Sequence, residues 1–386
     1  MQKRNKVALL LESSREFGRA LMNGFIKYSH LHGPWHFYMP TAYRFKRHMN
    51  LRDWHPDAIL TRDFKNRILP AIVFGIPDYN REDPFEPRSA WPRIIGDNEA
   101  YGNIAAEHFL EKNFYNFAFC TYPDLPFLFK RGHSFEKRLS EAGFSCDFYV
   151  SEPIKHKRSW TVEQKKIIEW LNNLPKPVGI LAGTDDIALG ILETSKQNDF
   201  RIPEDIAILG LDNDPFICEM ANPALSSIAI DFNRAGLEAA QLLDRLMSGE
   251  EVMDGQKIVL KPSHIVTRQS TDITVVNDST IVEAIRFIRN NIKTPLQASD
   301  VANGIGVSRS VLYRRFSSIL GRSVYDEIKN FRIKEIRRFL VESDFKIEDI
   351  AIQFGYESGA HIARYFRSET GMTPKQFRNK HKKAGS

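Results

Sequence analysis

Short apolar runs alternating with helical stripes fill the first half of the chain. Val7–Leu11 is rich in strand formers and stops at Glu12-Ser13-Ser14-Arg15; apolar residues then recur at Phe17, Leu21, Phe25 and Tyr28, one face of a helix. Strand, loop, helix is how a parallel α/β sheet opens. Further runs predict strands at 35–39, 58–60, 71–76, 116–120, 148–150, 178–182 and 206–211, where the alternation closes. Helical stripes predict helices at 100–111, 131–141 and 186–196. The runs are apolar almost throughout, as strands covered on both faces must be, so the expected fold is α/β and doubly wound.

Past residue 270 the pattern changes. Residues 271–279 are polar and β-branched with no helical stripe, and read as a linker. Asp278 or Ser279 is placed to cap a helix whose buried face is Ile281, Ala284, Ile285 and Ile288. A longer helix over 324–340 carries the stripe Tyr325, Ile328, Phe331, Ile336 and Phe339, expected in the core. The chain thus divides into residues 1–270, a linker at 271–279 and an all-helical region at 280–386.

Within that last region one short pattern occurs twice. Val301-Ala302-Asn303-Gly304-Ile305-Gly306-Val307-Ser308 precedes Val311-Leu312-Tyr313-Arg314-Arg315-Phe316. Ile350-Ala351-Ile352-Gln353-Phe354-Gly355-Tyr356-Glu357-Ser358 precedes Ile362-Ala363-Arg364-Tyr365-Phe366. Each copy sets a small Ala four residues before a Gly, then a Ser. Two helices crossing steeply through a short turn need this: the Ala permits close approach, the Gly takes the turn's backbone angles, and the Ser caps the second helix. Arg314 and Arg364 each stand two residues before a Phe. One such copy would suit any helical bundle; two, each with a basic second helix, predict two helix-turn-helix units.

Residues 281–381 also resemble the DNA-binding domain of the AraC/XylS-type transcription regulators. The resemblance is carried by both repeats and by the closing run Gly371-Met372-Thr373-Pro374-Lys375-Gln376-Phe377-Arg378. It implies reading helices at 308–318 and 358–369 that enter successive major grooves about 34 Å apart on an operator duplex. Arg309, Ser310, Tyr313 and Arg314 would face the groove from the first, and Gly359, Ala360, His361 and Arg364 from the second. Arg315, Arg367 and Lys375 would meet phosphates. Arg332, Arg337 and Arg338 of the joining helix are expected to be solvated or phosphate-facing.

Charge agrees with that division. The whole chain carries +6, but residues 275–386 hold 20 Lys/Arg against 12 Asp/Glu, a net +8, which leaves −2 for the rest. A basic module on a near-neutral body points to a polyanion partner at one end only. Cys120, Cys146 and Cys218 are odd in number and lack metal-ligand spacing, which predicts free thiols in a reducing compartment. The apolar run before Glu12 is too short for a signal-peptide core and no run spans a bilayer, so the expected location is cytoplasmic, without membrane contact.

Four strand-end loops carry polar residues: Ser13-Ser14-Arg15, Pro77-Asp78, Thr184-Asp185-Asp186 and Asp212-Asn213-Asp214. Singly, each reads as a helix cap. Together they make a ring of carboxylates and hydroxyls suited to a polyhydroxylated neutral ligand, whose hydroxyls donate to carboxylates and accept from arginine. Residues 5–270 resemble the sensor domains of lactose-repressor-type regulators, which share the two-lobed fold of periplasmic sugar-binding proteins. That resemblance rests on Ile94–Gly102, Gly183–Gly190, Ile208–Asn213 and Pro223–Ile228 with Gly236. It implies a cleft lined by Ser13, Arg15, Asp78, Arg131, Thr184, Asp185 and Asp212, with Arg131 reaching ligand hydroxyls; a plain surface arginine is the alternative. The usual N-terminal DNA-binding helices are not seen before the first strand, and the DNA reader lies at the other end.

The combination implies a transcription regulator, expected to be an activator, of a sugar catabolic operon. Its expected partners are double-stranded DNA, a monosaccharide effector with D-xylose first and other sugars as alternatives, RNA polymerase, and a second copy as homodimer. No cofactor or metal is implied. A solute-binding component and a sugar-processing enzyme are the rival classes. The basic repeat counts against the first, and the lack of an assembled nucleophile, metal set or cofactor loop against the second.

Overall fold

The structure, a computed structural model, describes residues 4–39, 54–61, 71–74, 92–123, 126–151, 160–253, 255–273, 275–276, 278–343 and 345–382. The chain divides into two units, Met1–Val275 and Val276–Ser386.

The first unit holds two six-stranded sheets. One joins β1 (Lys6–Leu10), β2 (His36–Tyr38), β3 (Ala58–Thr61), β4 (Ala71–Phe74), β5 (Arg93–Gly96) and β11 (Lys257–Leu260) in the order β11-β5-β4-β3-β1-β2, every pair parallel. The other joins β6 (Phe117–Thr121), β7 (Cys146–Val150), β8 (Val178–Ala182), β9 (Ile206–Asp212), β10 (Ser226–Ile230) and β12 (Pro262–Val266) in the order β12-β10-β9-β8-β6-β7. Only the edge strand β12 runs antiparallel to its neighbour. Central strands β6 and β8 are buried at every position, the pattern of a sheet covered on both faces.

Helices α1 (Glu16–His32) and α7 (Phe232–Met247) cover the first sheet; α2 (Asn98–Leu110), α3 (Pro126–Glu141), α4 (Trp160–Asn173), α5 (Asp185–Gln197) and α6 (Pro215–Met220) belong with the second. The alternation expected to close at 211 therefore continues. β10 leads into α7, which returns to the first sheet and packs along α1. The two helices meet at Gly24 and Gly236: a Cβ on Gly24 would lie 2.6 Å from the Gly236 Cα, so no larger residue fits this crossing. The chain passes between the sheets three times, after β5, β10 and β11, which makes two lobes joined by three crossing segments. The buried face of α7 is Ala- and Gly-rich, and small residues make a faint stripe in sequence.

The connection is shorter than the sequence suggests. Gln269–Thr271 forms a 3-10 turn, Thr271 and Ile273 are buried in the first unit, and the Val275 N–H donates to the Lys112 carbonyl (2.8 Å). Val276 already packs against the helices of the second unit.

That unit has two small cores. The first gathers Ile281, Ala284, Ile285 and Ile288 of α8 (Ser279–Asn291), Val301 and Ala302 of α9 (Ala298–Gly304), and Leu312 and Phe316 of α10 (Arg309–Leu320). The second gathers Ile350 and Ala351 of α12 (Ile347–Gln353) with Ile362 and Phe366 of α13 (Gly359–Thr370), closed by α14 (Pro374–Lys382). The long α11 (Val324–Glu342) feeds Val324 and Ile328 to one core and Ile333, Ile336 and Leu340 to the other. Tyr325, expected in the core, is 64% exposed; the buried stripe begins one residue earlier.

Candidate functional site

The candidate ligand residues sit where parallel strands end. Asp212 is the last residue of β9, Thr184 and Asp185 follow β8, and Ser13 and Arg15 follow β1. Arg131 lies inside α3 and is 7% exposed, so it is no surface arginine. Its guanidinium lies 5.3 Å from the Tyr101 ring centre and 5.1 Å from that of Phe127. Nε donates to Asn98 Oδ1 (3.0 Å) and Nη1 to the Gly183 carbonyl (2.6 Å). Burial works against its charge, and the fields of Asp212, Tyr101 and Asp185 work to restore it.

Asp212 is half-buried with φ at +109°, and Asn213 follows at +52°. Two non-glycine residues at positive φ in succession are costly, and such strain concentrates at binding sites. Burial raises the Asp212 carboxyl to about 6, against the opposing pull of Arg131. Asp186 and Asp214 push it the same way as burial, and Arg15 pulls with Arg131.

Asp185 has a different position from the one expected. It is 1% exposed, and its carboxylate accepts from Ser227 Oγ (2.6 Å), the Asp214 N–H (2.8 Å) and Cys218 Sγ (3.6 Å). Burial, followed by the nearby Asp212 charge, raises its pKa well above the ordinary value. A carboxylate so enclosed supports the 212–214 loop from beneath. Thr184 is buried and caps α5, accepting from the Ile187 N–H (3.4 Å). Ser13 is exposed, and its carbonyl accepts from Arg19 Nη1 (3.1 Å). Asp78 lies outside the described residues.

The two lobes also touch, through loop residues named above whose pairings the sequence pattern does not show. Arg15 pairs with Asp186 at 3.0 Å. Asp214 caps α6 with Oδ1, accepting from the Phe216 N–H (3.0 Å), while Oδ2 accepts from the Glu16 N–H at the start of α1 (3.0 Å). One carboxylate thus serves two helix N-termini in different lobes, each a partial positive end. The Asp-Pro step at 214–215 signals a cap, but nothing in the sequence announces the second helix.

In the second unit, Gly306 and Gly355 both take positive φ, +70° and +71°, at the turn between paired helices. Ser308 and Ser358 cap the second helix of each pair, accepting from the N–H of Val311 (3.4 Å) and His361 (3.3 Å). Arg309, Ser310, Tyr313 and Arg314 are exposed along one face of α10. Ala360, His361, Arg364 and Arg367 do the same on α13, and Lys375 is exposed on α14. Two residues depart from expectation. Gly359 is buried, and a Cβ there would meet Glu348 Oε1 at 2.8 Å, so it packs rather than faces outward. Arg315 is tied to Asp278 at 2.6 Å, the residue that caps α8. Of the joining-helix arginines, Arg338 pairs with Glu335 at 3.0 Å and Arg332 donates to the Thr294 carbonyl.

Comparison with known proteins separates the same two parts. Residues 106–271 match the periplasmic binding protein-like domain, and residues 301–380 a helix-turn-helix domain. The xylose operon regulatory protein of Escherichia coli K12 is 26% identical, with 98% of this chain and 97% of that protein covered. This chain is a transcription regulator of that two-part architecture. The xylose operon regulatory protein of Haemophilus influenzae is 28% identical, over 81% of this chain and 80% of its own. The solved structure of a xylose-binding transcription activator, xylR, superposes with a TM-score of 0.79 at 25% identity, covering 98% of the regulator and 99% of that chain. These relatives are transcription regulators and not enzymes. Among the described residues, no helix of the regulator is long and apolar enough to cross a membrane.

Proposed function

We propose that the regulator binds a monosaccharide, D-xylose, between the lobes of its first unit and activates a sugar catabolic operon. Arg131 supplies hydrogen-bond donors and Asp212 acceptors, with Thr184, Arg15 and Ser13 on the strand-end loops; Asp78 belongs to the proposed set on its sequence position alone. Asp185 holds the loop that presents Asp212. The observation that carries this reading is Arg131: a buried cation within 5.3 Å of two aromatic ring centres and in the field of a half-buried carboxylate on strained backbone. Donor and acceptor matching favours such a site for hydroxyls, since each sugar hydroxyl both donates and accepts.

The second unit reads DNA. Arg309, Ser310, Tyr313 and Arg314 address bases from α10, and Ala360, His361 and Arg364 from α13. A guanidinium bonds bidentately to guanine O6 and N7, and Ala360 offers only apolar contact to a thymine methyl. Arg367 and Lys375 meet phosphates; Arg315 does so only by leaving Asp278. The regulator acts in the cytoplasm as a homodimer and contacts RNA polymerase. A thermal-shift panel of pentoses and hexoses tests the effector. At a hundredfold excess over Kd a bound sugar adds about 2.7 kcal/mol of apparent stability, an easily measured shift. D-xylose should shift the wild type and leave Arg131→Ala unmoved. A shift by another sugar alone would replace D-xylose, and no shift by any sugar would end the sensor reading.

A further inference from the structure

A buried chain of hydrogen bonds runs from the cleft loop to the last residues of the sensor unit, farther than ligand binding requires. Asn213, next to Asp212, accepts at Oδ1 from Arg268 Nη1 (3.0 Å). Arg268 is buried, and the same Nη1 donates to the Leu225 carbonyl (2.9 Å) while Nε donates to Glu219 (2.7 Å). Its backbone is clamped as well: its N–H donates to Ser226 Oγ (2.9 Å), and its carbonyl accepts from that hydroxyl (3.1 Å). Thr271 Oγ1 donates to Ser226 Oγ (2.8 Å), so its own oxygen is left to accept from His108 Nε2 (2.9 Å). Ser270 Oγ donates to the Ile208 carbonyl of β9 (2.6 Å). Ser226, Ser270 and Thr271 have no solvent exposure at all.

Helix α2 closes this chain into a loop. Its first residue, Asn98, accepts from Arg131 Nε, and near its other end His108 holds Thr271. Two residues past the helix, the Lys112 carbonyl holds Val275, after which the chain enters the DNA-binding unit at Val276. Both the Asp212 loop and Arg131 are therefore linked, through polar groups that are buried or half-buried, to residues 268–275.

A guanidinium is planar, with donors in a fixed fork. Arg268 cannot follow a displacement of Asn213 and also keep Leu225 and Glu219, so movement of the loop is passed to its clamped backbone. Fully satisfied buried networks have one low-energy arrangement and shift as a unit. We propose that Arg268 and Thr271 transmit the state of the cleft loop to the connection that precedes the DNA-binding unit. This rests on the cleft being the sugar site.

The test uses the full chain, D-xylose and a duplex enriched by the wild type from a random pool. Sugar affinity is measured by calorimetry, duplex affinity with and without sugar by fluorescence anisotropy, and amide exchange at residues 269–276 in both states. For Arg268→Gln and Thr271→Val, D-xylose Kd should stay within about threefold of wild type, while the sugar-dependent change in duplex affinity falls below about twofold. Amide protection at 269–276 should then no longer respond to sugar. Thr271→Ser keeps the hydroxyl and should behave as wild type, and Thr271→Val alone carries the test if Arg268→Gln fails to fold. A full sugar response in Thr271→Val would overturn the proposal. So would loss of sugar binding in both variants, since the residues would then build the cleft itself. If D-xylose leaves the wild type untouched in calorimetry, the cleft reading falls and the relay with it.

Discussion

Replacing Asp212 with Asn should make the free sensor more stable at neutral pH while weakening its grip on sugar. In the folded chain burial raises this carboxyl to about 6, and Asp186 and Asp214 add to the effect against Arg131 and Arg15. An unfolded Asp titrates near ~3.9. The native state therefore holds the proton more tightly, and relative to a neutral isostere the cost is absent below pH ~4, grows between ~4 and ~6, and is complete above. Two pH units correspond to about 3 kcal/mol, and partial exposure reduces that to about 1–2 kcal/mol. The backbone does not oppose the change, because Asn is among the residues that tolerate positive φ best, here +109°. For a unit of this size 1 kcal/mol moves Tm by roughly 2–4 °C. Thermal melts of wild type and Asp212→Asn at pH 4.5 and 7.5, without sugar, should separate by about 2–8 °C in favour of the variant at the higher pH and by only about a third of that at the lower. D-xylose affinity should fall by at least about tenfold, a loss of roughly 1.4 kcal/mol. A Tm difference that is the same at both pH values would refute the reasoning, because it would assign the effect to packing rather than charge.

Other variants separate the parts of the account. Arg15→Ala removes the ion pair with Asp186, whose side chains are both about two-fifths exposed, so sugar affinity should weaken by no more than about fivefold; a loss of a hundredfold would make Arg15 a direct sugar contact. Arg314→Ala should cost about 1–3 kcal/mol on the selected duplex and little on scrambled DNA, whereas Arg367→Ala should weaken both and flatten the salt dependence. Equal losses for Arg314→Ala on the two DNAs would show that it meets phosphate. Phe366 is fully buried in the second small core, so Phe366→Ala should cost about 3–5 kcal/mol there and abolish DNA binding while D-xylose calorimetry is unchanged. Retained DNA binding would mean that the first helix pair suffices.

Local rules of sequence found what depends on local geometry. Ala302 and Ala351 are buried, Gly306 and Gly355 take positive φ, and Ser308 and Ser358 cap their helices, all within a few residues of one another. Asp278 as a cap and the face Ile281, Ala284, Ile285, Ile288 followed from the same spacing rules. What was missed depends on distant partners. Asp185 looks like any strand-end carboxylate until Ser227 and Cys218, 42 and 33 residues away in sequence, are seen to enclose it. Arg315 meets Asp278 from 37 residues away, and Asp214 reaches Glu16 across 198. Tyr325 shows a different limit: an aromatic beside a buried stripe fits the helical period almost as well as Val324 does, and only packing decides between them.

The central claim is that a sugar held in the first unit changes DNA binding by the second. Anisotropy of the selected duplex against the full regulator, at one fixed salt concentration with and without saturating D-xylose, tests it directly. Saturating D-xylose should change the apparent affinity by about tenfold or more, roughly 1.4 kcal/mol of coupling between the sites, and this change should be lost in Arg131→Ala. Identical binding curves with and without sugar, in a protein shown by calorimetry to be saturated, would contradict it.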